Sequence, residues 1–307
     1  MKRTARTPSP RRRGPRRLLA AILLTGLATA LGSCGLATRA VSEAIVRPAR
    51  KGAGARVPEG IVARTFVLPD QVEMRVWQAD PPAPPRAAVL VLHGVSDSKA
   101  SQVQTLRFLS RRGILAIAPD FRAHGDSGGT FATYGHLEKS DLTLLRRVVE
   151  NEHPGIRVGL WGTSYGGAVA LQAMAGDRGF DFGIVESTFA DLRDLARRQV
   201  TMRTTLPVAW LGPYFIDAAG DLASFDAATI RPELAVASIR VPLLHLHGGA
   251  NALIPLDHGQ RIAARAKGPD YRFVAIPRGT HYHLRAGDPA TYDREVRGFL
   301  RRVAGPR

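Results

Sequence analysis

The sequence predicts an α/β protein: a mostly parallel central sheet, helices on both of its faces, and a short insertion late in the chain. Three observations lead there. Ala87 to Leu92 and Ile114 to Ala118 are apolar runs without polar alternation, as in strands covered on both faces. Stretches of helical spacing separate such runs along the chain. The 307 residues, 45% hydrophobic and 22% charged, suffice for one domain of this kind with an ordinary core.

The elements follow in order. Residues 34–60 hold Arg, Ala, Gly and Pro with little apolar periodicity and are expected to be a tether or loosely packed lead-in. Ile61 to Leu68 and Val72 to Trp77 read as a strand pair turning at Pro69-Asp70. The proline-rich Asp80 to Pro85 continues neither strand. Helical spacing covers Val103 to Arg112, and Leu142 to Asn151 reads as a helix that Ser140 or Asp141 could cap. Ile156 to Trp161 is a strand, Gly166 to Ala175 a helix and Gly183 to Val185 a strand. Residues of about 188–235 then break the rhythm, with mixed helical signals and the aromatics Phe189, Trp210, Tyr214, Phe215 and Phe225; a small cap insertion is expected there. Val241 to His247 and Tyr271 to Ile276 are the late strands, with a helix around Gly259 to Ala266 between them and another over Tyr292 to Val303. The main domain is thus placed at residues 61–303.

The formal charge is +17, from 43 basic and 26 acidic residues. Eight of the basic residues fall within residues 1–33, which hold no acid, so the remainder carries +9. Such a balance would favour anionic surfaces. No nucleic-acid recognition motif accompanies it, and a nucleic-acid partner is not expected. After the basic run, Leu18 to Leu31 is apolar for about 14 residues, short of the roughly 20 that span a bilayer and suited to a signal-peptide core. It ends at Leu31-Gly32-Ser33-Cys34, which resembles the lipobox of bacterial lipoproteins. That resemblance implies removal of residues 1–33, a lipid on Cys34 and anchorage to the cell envelope, at the outer membrane in a Gram-negative cell. An ordinary signal peptide, giving a periplasmic or secreted protein, is the alternative. Cys34 is the single cysteine, which excludes an internal disulfide and an intrachain cysteine metal cluster.

The strongest local signal is Gly162-Thr163-Ser164-Tyr165-Gly166-Gly167, between an apolar strand and a helix of small residues. A nucleophile on a sharp strand-to-helix turn needs neighbours without bulky side chains two positions away on either side. Gly162 and Gly166 meet that need. The helix that follows aims backbone N–H groups at a developing oxyanion.

With four further segments in the same order, the chain resembles the α/β-hydrolase superfamily over roughly residues 61–303. Val89 to Gly94 resembles the strand and His-Gly turn that supplies half of the oxyanion hole, so the N–H groups of Val95 and Tyr165 are implied to hold the oxyanion. Asp120 to Gly128 resembles the family's D-x-R-x-H-G-x-S-x-G loop. Pro242 to Pro255 resembles the penultimate strand with its acid-bearing turn. Gly279-Thr280-His281 resembles the late segment that carries the catalytic base. The resemblance implies Ser164 as nucleophile and His281 as base, with His283 as a competitor. It makes His93 and His124 loop-shaping residues rather than catalysts. A zinc site at His245 and His247, on one strand face, and Ser127 as a second nucleophile are weak alternatives. No cofactor is implied.

The departure is at the acid. Where the family pattern H-G-x-x-D-x-x-[VI]-P places aspartate, this chain has Asn251. A carboxylate holds the imidazole in the productive tautomer and stabilises the imidazolium; an amide does the first poorly and the second hardly at all. Three readings stand open: Glu186 replaces the acid, Asp257 reaches in, or Asn251 leaves the enzyme slow or inactive. The expected function is serine hydrolysis of a small or lipid-like acyl substrate, a carboxylic ester first among them. The alternative is an impaired hydrolase-fold protein that serves as a binding or envelope module.

Overall fold

The computed structural model describes residues 35–202 and 206–305. The described residues open with a helix, α1, over residues 35–46. Strands β1 (Val62–Val67), β2 (Glu73–Ala79) and β3 (Ala87–Leu92) follow, then α2 (Val103–Ser110) and β4 (Ile114–Pro119). Next come α3 (Glu138–Glu152), β5 (Val158–Thr163), α4 (Tyr165–Gly176) and β6 (Phe182–Glu186). Helices α5 (Leu192–Thr201), α6 (Leu211–Ala223) and the short α7 (Pro232–Ala235) lie between β6 and β7 (Leu243–Gly248). The chain ends with α8 (Leu256–Arg265), β8 (Tyr271–Ile276), the single turn α9 (Leu284–Gly287) and α10 (Pro289–Val303).

All eight strands join one sheet in the order β1-β2-β4-β3-β5-β6-β7-β8. The β1–β2 and β2–β4 pairs are antiparallel, and from β4 to β8 every pair is parallel. The parallel strands explain the apolar runs. Leu90, Leu92, Leu160 and Val185 face one layer, with Leu142 and Leu145 of α3 and Val169 and Leu171 of α4. Val89, Val91, Trp161 and Ile184 face the other, with Leu106 and Leu109 of α2 and Phe299 and Leu300 of α10. Side chains that alternate along a strand therefore meet apolar partners on either face. The loops after β3, β5, β6, β7 and β8 all leave one edge of the sheet, where ligands of open α/β sheets collect.

Two stretches differ from their sequence expectations. The lead-in is packed rather than loose. Ser42 and Val46 of α1 are buried, the Ser42 hydroxyl donates to the Phe215 carbonyl of α6 (3.4 Å), and the Thr38 and Tyr214 hydroxyls lie 3.2 Å apart. Ala132 N–H donates to the Val46 carbonyl at 2.8 Å, and the Tyr134 hydroxyl to that of Ile45 at 3.1 Å. A seam of only three or four residues buries this helix, too short for apolar periodicity to announce it. Helix α3 starts before the expected caps. Its first turn is fastened by Glu138, whose carboxylate accepts from Thr133 N–H (2.8 Å), the Thr133 hydroxyl (2.6 Å) and Gly135 N–H (2.8 Å). Ser140 sits inside the helix, and so does Asp141, which accepts from the Arg122 guanidinium at 2.5 and 2.7 Å. Among the described residues no helix is long and apolar enough to cross a membrane. The signal-peptide segment and Cys34 lie outside the described residues.

Candidate active site

Ser164 occupies the turn between β5 and α4 with φ 57° and ψ −117°, a left-sided conformation that non-glycine residues adopt only under constraint. The constraint is visible. Ser164 N–H donates to the Glu186 carbonyl of β6 (2.8 Å), and the Thr188 hydroxyl donates to the Ser164 carbonyl (2.8 Å). The flanking glycines are required by space. A Cβ on Gly162 would stand 2.3 Å from the Gly166 carbonyl oxygen, and one on Gly166 would stand 2.5 Å from that of Leu92. The end of β3 is thus pressed against the turn, and a Cβ on Gly94 would come within 3.8 Å of the Ser164 Cβ. Tyr165 is the first residue of α4, so its N–H has no acceptor within the helix. Val95 follows Gly94 and is 42% exposed.

His281 lies in the loop after β8, 9% exposed, and its Nδ1 meets the Asn251 side chain. The amide of Asn251 has a defined orientation. Its Oδ1 accepts from the N–H groups of Leu253 (3.1 Å) and Ile254 (2.9 Å), and its Nδ2 donates to His281 Nδ1 at 3.2 Å. Turning the amide over would set an NH₂ against two N–H donors, at about 1–3 kcal/mol for each donor left unpaired. The loop therefore holds the amide so that His281 Nδ1 must accept. A neutral imidazole that accepts at Nδ1 carries its proton on Nε2, the nitrogen that a serine hydroxyl needs as a base. Burial pushes the imidazolium pKa down to about 4, helped by the neighbouring His247 ring. The ring is neutral at ordinary pH. Among the described residues no hydrogen bond joins the Ser164 hydroxyl to His281.

The two other acids weighed from sequence are engaged elsewhere. Glu186 is buried on the α10 side of the sheet, where its carboxylate accepts from Trp161 Nε1 (3.1 Å), the Thr163 hydroxyl (3.1 Å) and the Tyr292 hydroxyl (2.6 Å). Burial raises its pKa against the pull of those three donors. Asp257 pairs with Arg198 at 2.6 and 3.2 Å. The residue that reaches His281 is Asn251.

Four other histidines are spent on structural hydrogen bonds. His93 accepts at Nε2 from Phe121 N–H (3.1 Å) and so donates from Nδ1 to the Gly94 carbonyl (2.7 Å). His124 donates from Nδ1 to the Arg122 carbonyl at 2.8 Å. His245 meets the Tyr271 hydroxyl at 2.7 Å, and His247 donates from Nε2 to the Ile254 carbonyl at 2.9 Å. His283 is exposed beyond the site. The Ser127 hydroxyl donates to the Asp120 carbonyl (2.8 Å) and accepts from Arg75 N–H (2.8 Å), so it is spent on the backbone. Sequence reasoning missed Thr188 and Tyr292. Neither lies in a motif, and their roles depend on strand register and on where α10 lands.

Comparison with known proteins agrees with this architecture. Residues 83–212 match the family described as serine aminopeptidase, S33. The chain is 26% identical to the Bacillus subtilis protein YqkD over 246 residues, covering 76% of this chain and 78% of that one. It is 29% identical to human monoglyceride lipase over 113 residues, covering 36% and 37% of the two chains. Among solved structures, an esterase of Pyrococcus furiosus superposes with a TM-score of 0.71 at 25% identity, over 85% of this chain and 99% of that one. The sheet order, the helical layers and these likenesses are those of the α/β-hydrolase fold.

Proposed function

Starting from a hydrolase of the α/β type, we propose that this protein is a serine hydrolase of ester-type bonds whose turnover Asn251 holds down. In this reading the His281 ring must first pass to its minor tautomer, with the proton on Nδ1 facing the Asn251 amide; Ser164 Oγ then attacks the ester carbonyl while its proton passes to the freed Nε2 and on to the departing alcohol. The N–H groups of Val95 and Tyr165 hold the oxyanion, and water then repeats the sequence on the acyl-enzyme. Catalytic hydrogen bonds often tighten only once substrate is bound, so the open Ser164–His281 pair is compatible with the scheme. The observation that supports it most is Ser164 itself, held at φ 57° between two glycines that tolerate no side chain. Its ψ of −117° takes it away from the left-handed helical region that a helix-ending residue such as Ser224 occupies at φ 59° and ψ 45°.

The test is labelling of the full-length protein, kept in mild detergent, with a fluorophosphonate probe. Labelling of the wild type and none of Ser164→Ala is the expected result. Absence of labelling in a folded sample would overturn the reading. A second reading, a hydrolase-fold binding protein of the envelope, is favoured by one observation: the amide of Asn251 enforces the unproductive His281 tautomer. Lipid anchorage at Cys34 belongs to either reading. Incorporation of labelled palmitate that vanishes in Cys34→Ala supports it.

A further inference from the structure

The amide of Asn251 changes what the site offers a ligand as well as what it offers a reaction. In a serine hydrolase with an acidic third residue, Nε2 of the histidine presents a lone pair at neutral pH, which repels an anion placed beside the serine. Here the lone pair is turned inward to Asn251, and Nε2 presents an N–H. The Ser164 hydroxyl has no partner among the described residues. The N–H groups of Val95 and Tyr165 have none either, and the N-terminus of the 12-residue α4 adds its favourable field.

We infer that the site is a carboxylate receptor: Ser164, His281 and the two backbone N–H groups form a set of donors that takes the two oxygens of an acyl carboxylate with the histidine neutral. The inference rests on the proposed placement of Ser164 and His281 in one site, and it names the acid product of ester cleavage as the ligand class. No positive charge is needed to attract the anion, and no proton need be taken up when it binds.

That last property separates this site from one with an acid at position 251. The groups around the His281 ring are Asn251, Tyr282 on its own loop and His247 on β7, which is buried and donates to Ile254. Glu186 and Asp257 are committed to other partners. Burial lowers the imidazolium pKa of His281 to about 4 and lowers that of His247 as well. With Asn251→Asp, Nδ1 would carry the proton toward the new carboxylate, and an anion would be accepted only when Nε2 is protonated as well.

The experiment is calorimetric titration of the full-length protein with butyrate at pH 6 to 9, with butyramide as the uncharged control. Butyrate protection of Ser164 from the fluorophosphonate probe is followed in parallel. The wild type is expected to bind butyrate with an affinity constant within about twofold across that range. Asn251→Asp is expected to lose affinity by about tenfold per pH unit above its imidazolium pKa, as uptake of one proton requires. His281→Ala should weaken wild-type binding at every pH. Labelling without butyrate binding would overturn the receptor and leave the hydrolase standing. Wild-type binding that falls with pH as the variant's does would overturn it too. PH-independent binding without labelling would support the receptor and remove the hydrolase. A folded protein that neither labels nor binds would remove both.

Discussion

Asn251 Nδ2 donates to His281 Nδ1 at 3.2 Å, and the amide is locked in that sense because its oxygen serves two backbone N–H groups. An aspartate would fit the same loop. One oxygen would keep both N–H groups and the other would accept from a protonated Nδ1.

Asn251→Asp is therefore expected to raise kcat/KM toward short esters by about 10²- to 10⁴-fold, the reverse of the loss seen when such an acid becomes an amide. The same substitution should move the pH profile. In the wild type burial holds the His281 imidazolium pKa near 4, so the acid limb of kcat/KM lies near pH 4. A carboxylate at position 251 favours the imidazolium, and the limb should shift toward 6.5 or above. A profile and a rate that both stay unchanged would show that His281 is not the base.

Gly162→Ala and Gly166→Ala are each expected to abolish probe labelling of Ser164. The added methyl would stand 2.3 Å or 2.5 Å from a carbonyl oxygen, and backbone on both sides leaves nothing flexible to yield. A fall of about 1–3 kcal/mol in stability should accompany the loss. Mass spectrometry of the labelled peptide and urea unfolding separate the two effects.

Glu186→Gln tests whether the buried carboxylate acts on the histidine or on the scaffold. It accepts from Trp161, Thr163 and Tyr292, so the variant should be destabilised by about 1–3 kcal/mol at pH 4 and keep its response to Asn251→Asp. Its pKa is raised above the ordinary 4.5, so the folded state binds the proton more tightly than the unfolded chain does. The wild type then loses stability as pH rises from 4.5 through the folded value, and Gln removes that loss. The difference in Tm between the two should narrow with rising pH. Abolished esterase activity in Glu186→Gln would instead mark it as the acid.

Lys99→Met is expected to destabilise the protein by about 3–5 kcal/mol. Lys99 Nζ is buried between Asp120 and Asp126, and removing it leaves the fully buried Asp120 charge with only the N–H groups of Lys99 and Asp126, both at 2.7–2.8 Å. Adding Asp120→Asn to this variant should recover part of the loss in urea unfolding.

What the sequence made legible was whatever short-range chemistry dictates. Strands such as Ala87–Leu92 are apolar on both faces because both faces are covered, and their runs were read within a residue or two. Gly162 and Gly166 are forced by contacts within a few residues of the turn, so the motif announced them. The spacing that set Asn251 opposite His281 is likewise a property of two adjacent strands, β7 and β8. The destination of Glu186 was not legible. Its position at the end of β6 is local, but the side of the sheet it serves depends on Tyr292, 106 residues away. Helix α1 was missed for the same reason, since its seam is defined by α6 and by the loop at Ala132.

That helix has a mechanical consequence. Residues 35–46 are stitched on one side to α6 and on the other to the loop carrying Ala132 and Tyr134, so they bridge the β6–β7 insertion to the body of the protein. The insertion is fixed at its other end by the Arg198–Asp257 pair and by Gln199, which donates to the Leu253 carbonyl. Clasped at both ends, it is a wall rather than a door. Under the proposed lipid anchorage at Cys34, tension on the anchor would be borne by that clasp.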